Sequence, residues 1–342
     1  MDGFYVNFPG AQTSVQDEGR FGYQWSGMCP AGAMDMHSLR IANILVGNDR
    51  NEAGLEVTLV GPELHFLVDE VIAITGADLS PMLDGRELPM YRAVSIKKGQ
   101  RLSFGKRKSG CRSYIAFAGG FDITPMYGSR STWVRINIGP VDHALRKGDV
   151  IGFREPKAIL PNMEARYIQP EVIQGDEVLL RVILGPQDYL FTEQGIRNFL
   201  GSEPFTVSKL ANRQGYRLDG PKVELKKKGS IVSDGIAKGA VQIQPNEQPI
   251  LLLSERQSTG GYAKIGNIIT VDLPKIGQAM TGAKIRFQEI GIEEAQELLV
   301  EEDRMLNALE ERLRTAAVEQ SNRYRVTVNQ RVYHVEIQRV AR

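Results

Sequence analysis

The sequence predicts a mainly β protein: two related β-domains in tandem, followed by a helix and a β-hairpin at the C-terminal end. Three observations carry that expectation. Short β-branched and aromatic runs, broken by Gly, Pro and Asp, fill the span 55–153. One phrase recurs, a Gly followed by an aliphatic residue and then Phe at fixed spacing: Gly99, Leu102 and Phe104; Gly148, Ile151 and Phe153; Gly282, Ile285 and Phe287. Beyond Ile292 the apolar spacing changes from alternation to threes and fours, the period of a helix.

The first expected element is a helix over 34–46, stopped by Gly47-Asn48 in the manner of a C-cap. Strands follow as Leu55-Glu56-Val57-Thr58-Leu59-Val60, Val71-Ile72-Ala73-Ile74 and Ser113-Tyr114-Ile115-Ala116-Phe117, with turns at Gly61-Pro62, Asp84-Gly85 and Lys98-Gly99. In the recurring phrase the glycine makes a turn and alternate residues of the next strand face one core. Gly61-Pro62-Glu63 is echoed by Gly185-Pro186-Gln187, a second sign of related halves. Prolines and polar residues interrupt the pattern over 156–170, which sets the domains at 1–160 and 161–290. A second helix is expected over 187–200. In the tail, 291–342, Ile292, Ala295, Leu299, Leu306, Leu309, Leu313 and Ala316 form one apolar seam, broken only at Glu302. Such a charged helix suits packing on its own chain better than a coiled coil. Tyr324, Val326 and Val328, then Tyr333, Val335 and Ile337, alternate around Asn329-Gln330 as a β-hairpin.

The chain has 342 residues and a formal charge of +1, which provides no global field for nucleic acid or an anionic membrane. It starts Met1-Asp2-Gly3-Phe4, without a basic stretch and apolar run, and no segment reaches the length of a membrane span. Cys29 and Cys111 are too few for a disulfide framework and lack metal-ligand spacing. A cytoplasmic protein with no metal site is the expectation. Cys29 lies beside Pro30 without a partner His and is read as an incidental loop residue. His37 is expected on a helix face, His65 in a strand and His334 in the terminal hairpin, none with catalytic or metal-like company.

Three stretches concentrate polar residues that a β-core does not need. They are 12–23 with 30–35, then 212–218 with Ser233-Asp234-Gly235, and 254–264. Each combines Gly, which lets backbone approach a ligand, with Arg and short polar side chains. An amide or lactam that bears a carboxylate needs this set: a guanidinium fork for the carboxylate, donors for a developing oxyanion, and a carboxylate to orient water. The alternative is that the glycines make turns and the arginines pair with neighbouring acids. Asp17, Asp35 and Asp234 serve as acid or base on one reading and as turn formers or N-caps on the other. Glu56, between Leu55 and Val57, needs a partner such as Arg20 or Arg40 if buried. The chain has neither a GxxxxGK[ST] loop nor a GxSxG elbow.

In these loops the chain resembles the allophanate hydrolase subunit 2 family, also called the KipA or biotin-dependent carboxyltransferase-like family, across about 10–290. The residues that carry the resemblance are Thr13-Ser14-Val15-Gln16-Asp17-Glu18-Gly19-Arg20-Phe21-Gly22-Tyr23, Gly32-Ala33-Met34-Asp35, Leu39-Arg40-Ile41-Ala42-Asn43, Thr75-Gly76-Ala77-Asp78-Leu79, Ala118-Gly119-Gly120, Gly185-Pro186-Gln187-Asp188 and Arg256-Gln257-Ser258-Thr259-Gly260-Gly261-Tyr262. The chain departs from the family pattern at Gln214, usually Met, and at Glu255, usually Asp.

The resemblance implies two cyclophilin-like β-barrel domains. It also implies the role of the C subunit in an ATP-dependent 5-oxoprolinase, which opens 5-oxo-L-proline to L-glutamate. Its partners there would be the A subunit (LamB/YcsF-like) and the B subunit (KipI-like, allophanate hydrolase subunit 1). ATP would be used by that complex. Two alternatives stay open: a carboxyltransferase or allophanate hydrolase-type component that acts on urea or a related amide, and a KipA-like regulator that binds a KipI-like kinase inhibitor. The tail resembles the opening strand of biotin carrier domains, but no Met-Lys-Met biotinylation sequence is present, so biotin attachment to this chain is not expected. Chemistry within the matched motifs selects Asp17, Arg20, Asp35, Arg213, Asp234 and Arg256 as candidate catalytic residues. Gln16, Tyr23, Gln257, Thr259, Gly260, Gly261, Tyr262 and Lys264 are the candidate substrate-binding residues.

Overall fold

A computed structural model of the chain describes residues 2–169, 176–227, 230–315, 321–328 and 331–338. Its first half is hydrogen-bonded as two sheets. One runs in the order Val150–Gly152, Gly3–Phe8, Glu63–Phe66, Arg101–Phe104, Pro81–Leu83 and Arg86–Glu87. The other runs Gln12–Gln16, Gly54–Thr58, Arg112–Phe117, Glu70–Gly76 and Ala93–Ile96, antiparallel throughout. Phe4, Phe66, Phe117, Phe121 and Phe153 fill the space between them, with ring centroids as close as 5.1 Å.

The second half closes on itself as a barrel of seven strands: Glu177–Leu184, Lys264–Ile268, Ala240–Ile243, Pro249–Leu252, Gly215–Asp219, Phe205–Ala211 and Lys284–Glu289. Closure comes from a parallel pairing of the first and last of these, Glu177 opposite Lys284 through Val182 opposite Glu289. Phe199, Phe205 and Phe287 cluster in its core. Met34, from the first half, packs into that same core.

The recurring phrase has the expected geometry. Gly99, Gly148 and Gly282 take φ of +88°, +101° and +92°, a turn conformation that disfavours other residues, and Leu102, Ile151 and Ile285 behind them are buried. The echo of Gly61-Pro62 at Gly185-Pro186 is not structural: the first leads into a strand, whereas the second follows one through a cis peptide bond.

Helix α1, Met36–Leu45, starts at Asp35, whose carboxylate accepts from Ser38 N at 2.9 Å, and ends before Gly47 at φ +73°. It lies on strands Glu70–Gly76 and Arg112–Phe117, which are buried on both faces. Larger residues such as Ile72 and Ile115 face the sheet-to-sheet core, while Val71, Ala73 and Ala116 face α1 and let it approach closely. The expected helix over 187–200 is shorter: a 3-10 turn at Asp188–Leu190 precedes α2, Glu193–Leu200, because Thr192 caps it by accepting from Gly195 N. A short α3, Leu273–Gln278, has no counterpart in the sequence reading.

Helix α4, Ile292–Thr315, packs on its own chain. Leu306, Leu309 and Leu313 are buried against Ile41, Ile44 and Leu45 of α1, whereas Ile292 and Leu299 are exposed. Arg50 ties the helix down through Asp303, Asn307 and Glu310, and His37 meets Glu302 at 2.8 Å. Beyond it, Ser321–Val328 pairs antiparallel with Arg331–Gln338, the expected hairpin; its turn residues 329–330 lie outside the described residues, as does Ala316. Among the described residues no helix is long and apolar enough to cross a membrane.

Candidate functional site

Polar residues from both halves meet in a buried seam. On strand Gly54–Thr58, Leu55 and Val57 face the core, so Glu56 points the other way, toward the barrel. It accepts from Met34 N and from the Tyr114 hydroxyl, each at 2.8 Å, and from the Arg213 guanidinium. Arg213 also donates to Glu255 at 2.6 Å and to the Gly32 carbonyl at 2.7 Å. Arg112 approaches Glu56 at 3.5 Å and donates to the Tyr216 hydroxyl at 2.8 Å and to Gly277 O at 2.5 Å. Burial alone would push the Glu56 carboxyl up; the Arg213 and Arg112 charges outweigh it and hold the group below its usual value. The expected partners Arg20 and Arg40 are therefore replaced: Arg40 is taken by Glu18 at 2.5 Å, and Arg20 donates to Ser131 O.

The seam accounts for two of the candidate catalytic residues. All three guanidinium nitrogens of Arg213 are engaged in it. Asp35 uses both carboxylate oxygens, on Ser38 N, on the Ser38 hydroxyl at 2.6 Å and on Gln278 Nε2 at 2.7 Å, while burial pushes its carboxyl up. Gln278 carries the tie onward by accepting from the backbone of Cys111 and Arg112.

Asp17, Arg20 and Gln16 belong to a second buried cluster. Asp17 accepts from the Ser129 and Ser131 hydroxyls at 2.7 and 2.5 Å and from the backbone of Gly19 and Arg130. Gln16 donates to Ser14 and to Thr132 O. Arg20 is fully buried, and its Nε and Nη1 find no partner among the described residues. Burial lowers its pKa despite the Asp17 charge nearby. The loops here interlock through backbone: a Cβ on Gly32 would stand 2.6 Å from Glu18 O, and Gly32 sits at φ +86°. The loop that supplies Ser129 and Ser131 escaped the sequence reading because Ser between polar neighbours carries no periodic signal. Cys29 lies in a loop, as expected, and is buried there; its thiol donates to Ser254 O at 3.3 Å, and burial raises its pKa, which disfavours the thiolate.

Two cavities flank the seam. The larger, about 450 Å³, is lined by Arg135 and Arg217, by the amides of Asn212, Gln214, Gln242, Gln244 and Gln257, and by Tyr262. Among the described residues no carboxylate lines it. Gln214 links the wall, meeting Arg135 and donating to Gln257 at 3.1 Å, and Gln242 donates to Tyr262 O. The smaller, about 180 Å³, is lined by Arg256 and Lys238, by the pairs Arg40–Glu18 and His37–Glu302, and by an apolar wall that includes Met34 and Leu273.

Of the candidate binding residues, Gln257 and Tyr262 line the larger cavity. Thr259 and Gly260 form a two-stranded ribbon with Asp234 and Gly235, where Lys264 donates to Asp234 at 2.5 Å and to Gly235 O at 2.8 Å. That bond holds the Asp234 carboxyl below its usual range. Gly261 follows the ribbon, close to Ile231. Tyr23 lines neither cavity; it stands on an exposed loop with its ring 4.9 Å from that of Tyr127. Arg135 and Gln242 were missed, since each reads as an ordinary strand or loop residue until the barrel brings them together, and Arg217, inside the polar stretch 212–218, was not selected from it. Among the described residues no three His, Cys, Asp or Glu side chains group as metal ligands would.

This arrangement can bind and orient a small anion that also presents amide groups: guanidinium forks for negative oxygens, and side-chain amides that donate to a carbonyl or accept from an N–H. Residues 26–289 match the carboxyltransferase domain family, subdomains A and B. The C subunit of the Escherichia coli 5-oxoprolinase is 36% identical over 305 residues, which cover 89% of this chain and 96% of that protein. The urea amidolyase of Saccharomyces cerevisiae is 34% identical over 323 residues, covering 89% of this chain but 18% of that protein. The crystal structure of the K. lactis urea amidolyase superposes with a TM-score of 0.82 at 30% identity, covering 90% of this chain and 20% of that one.

Proposed function

Because this chain belongs to the carboxyltransferase domain family, subdomains A and B, we propose that it serves as the C subunit of an ATP-dependent 5-oxoprolinase, hydrolysing the 5-oxo-L-proline lactam to L-glutamate together with the A and B subunits. The observation that carries this reading is the larger cavity, with two arginines, several amides and, among the described residues, no carboxylate. A lactam that bears a carboxylate calls for this lining. Neutral urea would bring no charge to the two arginines, which are exposed. Similarity over nearly the whole length of a 5-oxoprolinase C subunit supports the same choice.

A lactam carbonyl is a weak electrophile. Phosphoryl transfer from ATP to its oxygen would let water attack the ring carbon; the C–N bond then opens to give the acyl phosphate of glutamate, and a second water releases phosphate and glutamate. In this scheme Arg217 or Arg135 pairs with the substrate carboxylate and the amides of Gln214 and Gln257 orient the ring amide. The partner subunits bring the rest of the site. The test is reconstitution: the A and B subunits with this chain and ATP release glutamate from 5-oxoproline, and omission of this chain abolishes it. Undiminished release without this chain would sink the proposal. Arg217→Gln is expected to raise KM for 5-oxoproline about tenfold or more with less change in kcat, as loss of one charged hydrogen bond predicts.

The similarity to urea amidolyases favours one other reading, carboxyl transfer to urea or a related amide. It requires a biotinylated carrier, so activity that depends on such a carrier and not on the A and B subunits would select it. A KipA-like regulator would bind a KipI-like protein without supporting either turnover.

A further inference from the structure

The smaller cavity is a separate site. Lys238 enters it from the turn before strand Ala240–Ile243 and Arg256 from the loop after strand Pro249–Leu252, both on the barrel. The facing wall comes from the first half, through Phe21, Met34 and Met36, and α3 adds Leu273 and Pro274. Of the remaining lining residues, Arg40 pairs with Glu18 at 2.5 Å and Glu302 meets His37 at 2.8 Å. Lys238 and Arg256 are different. Among the described residues neither pairs with a carboxylate; Lys238 donates to Ala33 O at 2.9 Å, and Arg256 donates to Ile236 O and Leu253 O through Nε and Nη1, leaving Nη2 without a protein acceptor. The carboxylates that act on Lys238 from a distance, Glu56 and Asp35, are engaged within the seam.

We propose that this cavity binds a small aliphatic carboxylate, its oxygens held by Lys238 and Arg256 and its alkyl body against Phe21, Met34, Met36, Leu273 and Pro274. Two cations side by side with no counter-ion are an unfavourable arrangement that an anion relieves. The same crowding is felt by Lys238: although the residue keeps partial exposure, burial, then the Arg256 and Arg213 charges, push its ammonium down to about 8. The apolar wall selects a carboxylate with an alkyl body over a fully hydrated inorganic anion, and a cavity of about 180 Å³ limits it to a few carbons. The inference stands apart from the reading of the larger cavity.

The test uses the full chain and three probes, butyrate, the isosteric neutral butyramide and inorganic phosphate, titrated by NMR. Butyrate is expected to bind saturably, with butyramide weaker by about tenfold or more, as loss of a charge-assisted hydrogen bond predicts. Lys238→Gln should abolish the preference for butyrate, Lys238→Arg should keep it, and Arg217→Gln in the other cavity should leave it unchanged. Thermal unfolding checks that each variant is folded, and Lys238→Met replaces Lys238→Gln if the latter is not. Equal binding of butyrate and butyramide, preference for phosphate, or loss of butyrate binding in Arg217→Gln would each overturn the assignment.

Discussion

Glu70 is a side chain whose ionisation opposes the fold. It opens strand Glu70–Gly76 fully buried, accepts from Val71 N at 2.8 Å and Lys157 N at 3.3 Å through one oxygen, and has no partner for the other among the described residues. Burial pushes its carboxyl from 4.5 up to about 8. The folded state therefore holds this proton more tightly than the unfolded state. Stability from this group is complete below pH 4.5 and is lost as pH rises toward 8, at up to about 1.4 kcal/mol per pH unit. Glu70→Gln, which mimics the protonated form, should be stabilising relative to wild type at pH 8 and near neutral at pH 5 in urea unfolding. An equal difference at both pH values would refute this. At this scale the sequence was only half legible. Arg213, Asp35 and Glu56 stood out as charged residues in apolar or Gly-rich company, but a guanidinium reads the same whether it meets a ligand or a carboxylate from the other half. The partners that decide the matter lie far away in the chain, Arg213 for Glu56 and Gln278 for Asp35.

Among the elements, α4 separates what periodicity reveals from what it does not. Its apolar seam was legible, yet only Leu306, Leu309 and Leu313 are used against α1, while Leu299 is 40% exposed. Leu306→Ala should cost about 2–5 kcal/mol and Leu299→Ala less than about 0.5 kcal/mol, measured by denaturant unfolding. Similar costs at the two positions would mean that the whole seam is covered. Helix α3 was not legible: it has six residues with Pro in its first turn, too few to display a period. Strands were easier to find than their pairings. The parallel contact of Glu177–Leu184 with Lys284–Glu289 that closes the barrel depends on segments at opposite ends of that half, and no local signal announces it.

For the molecule as a whole, the repeat of turn glycines anticipated two β-halves, and the seam makes them one structure. Arg213→Met would leave Glu56 and Glu255 buried beside a missing cation and should destabilise by about 3–5 kcal/mol. Adding Glu56→Gln should recover part of that loss, since the pair shares one interaction; full additivity in a double-mutant cycle would show the seam does not couple them. The loop that follows strand Pro249–Leu252 extends this coupling to the cavities. Glu255 enters the seam, Arg256 turns into the smaller cavity and Gln257 into the larger. Three neighbouring residues thus serve three different compartments. One inserted or deleted residue there would move every side chain into the wrong compartment at once, so homologous chains should vary in spelling along this loop but never in its length.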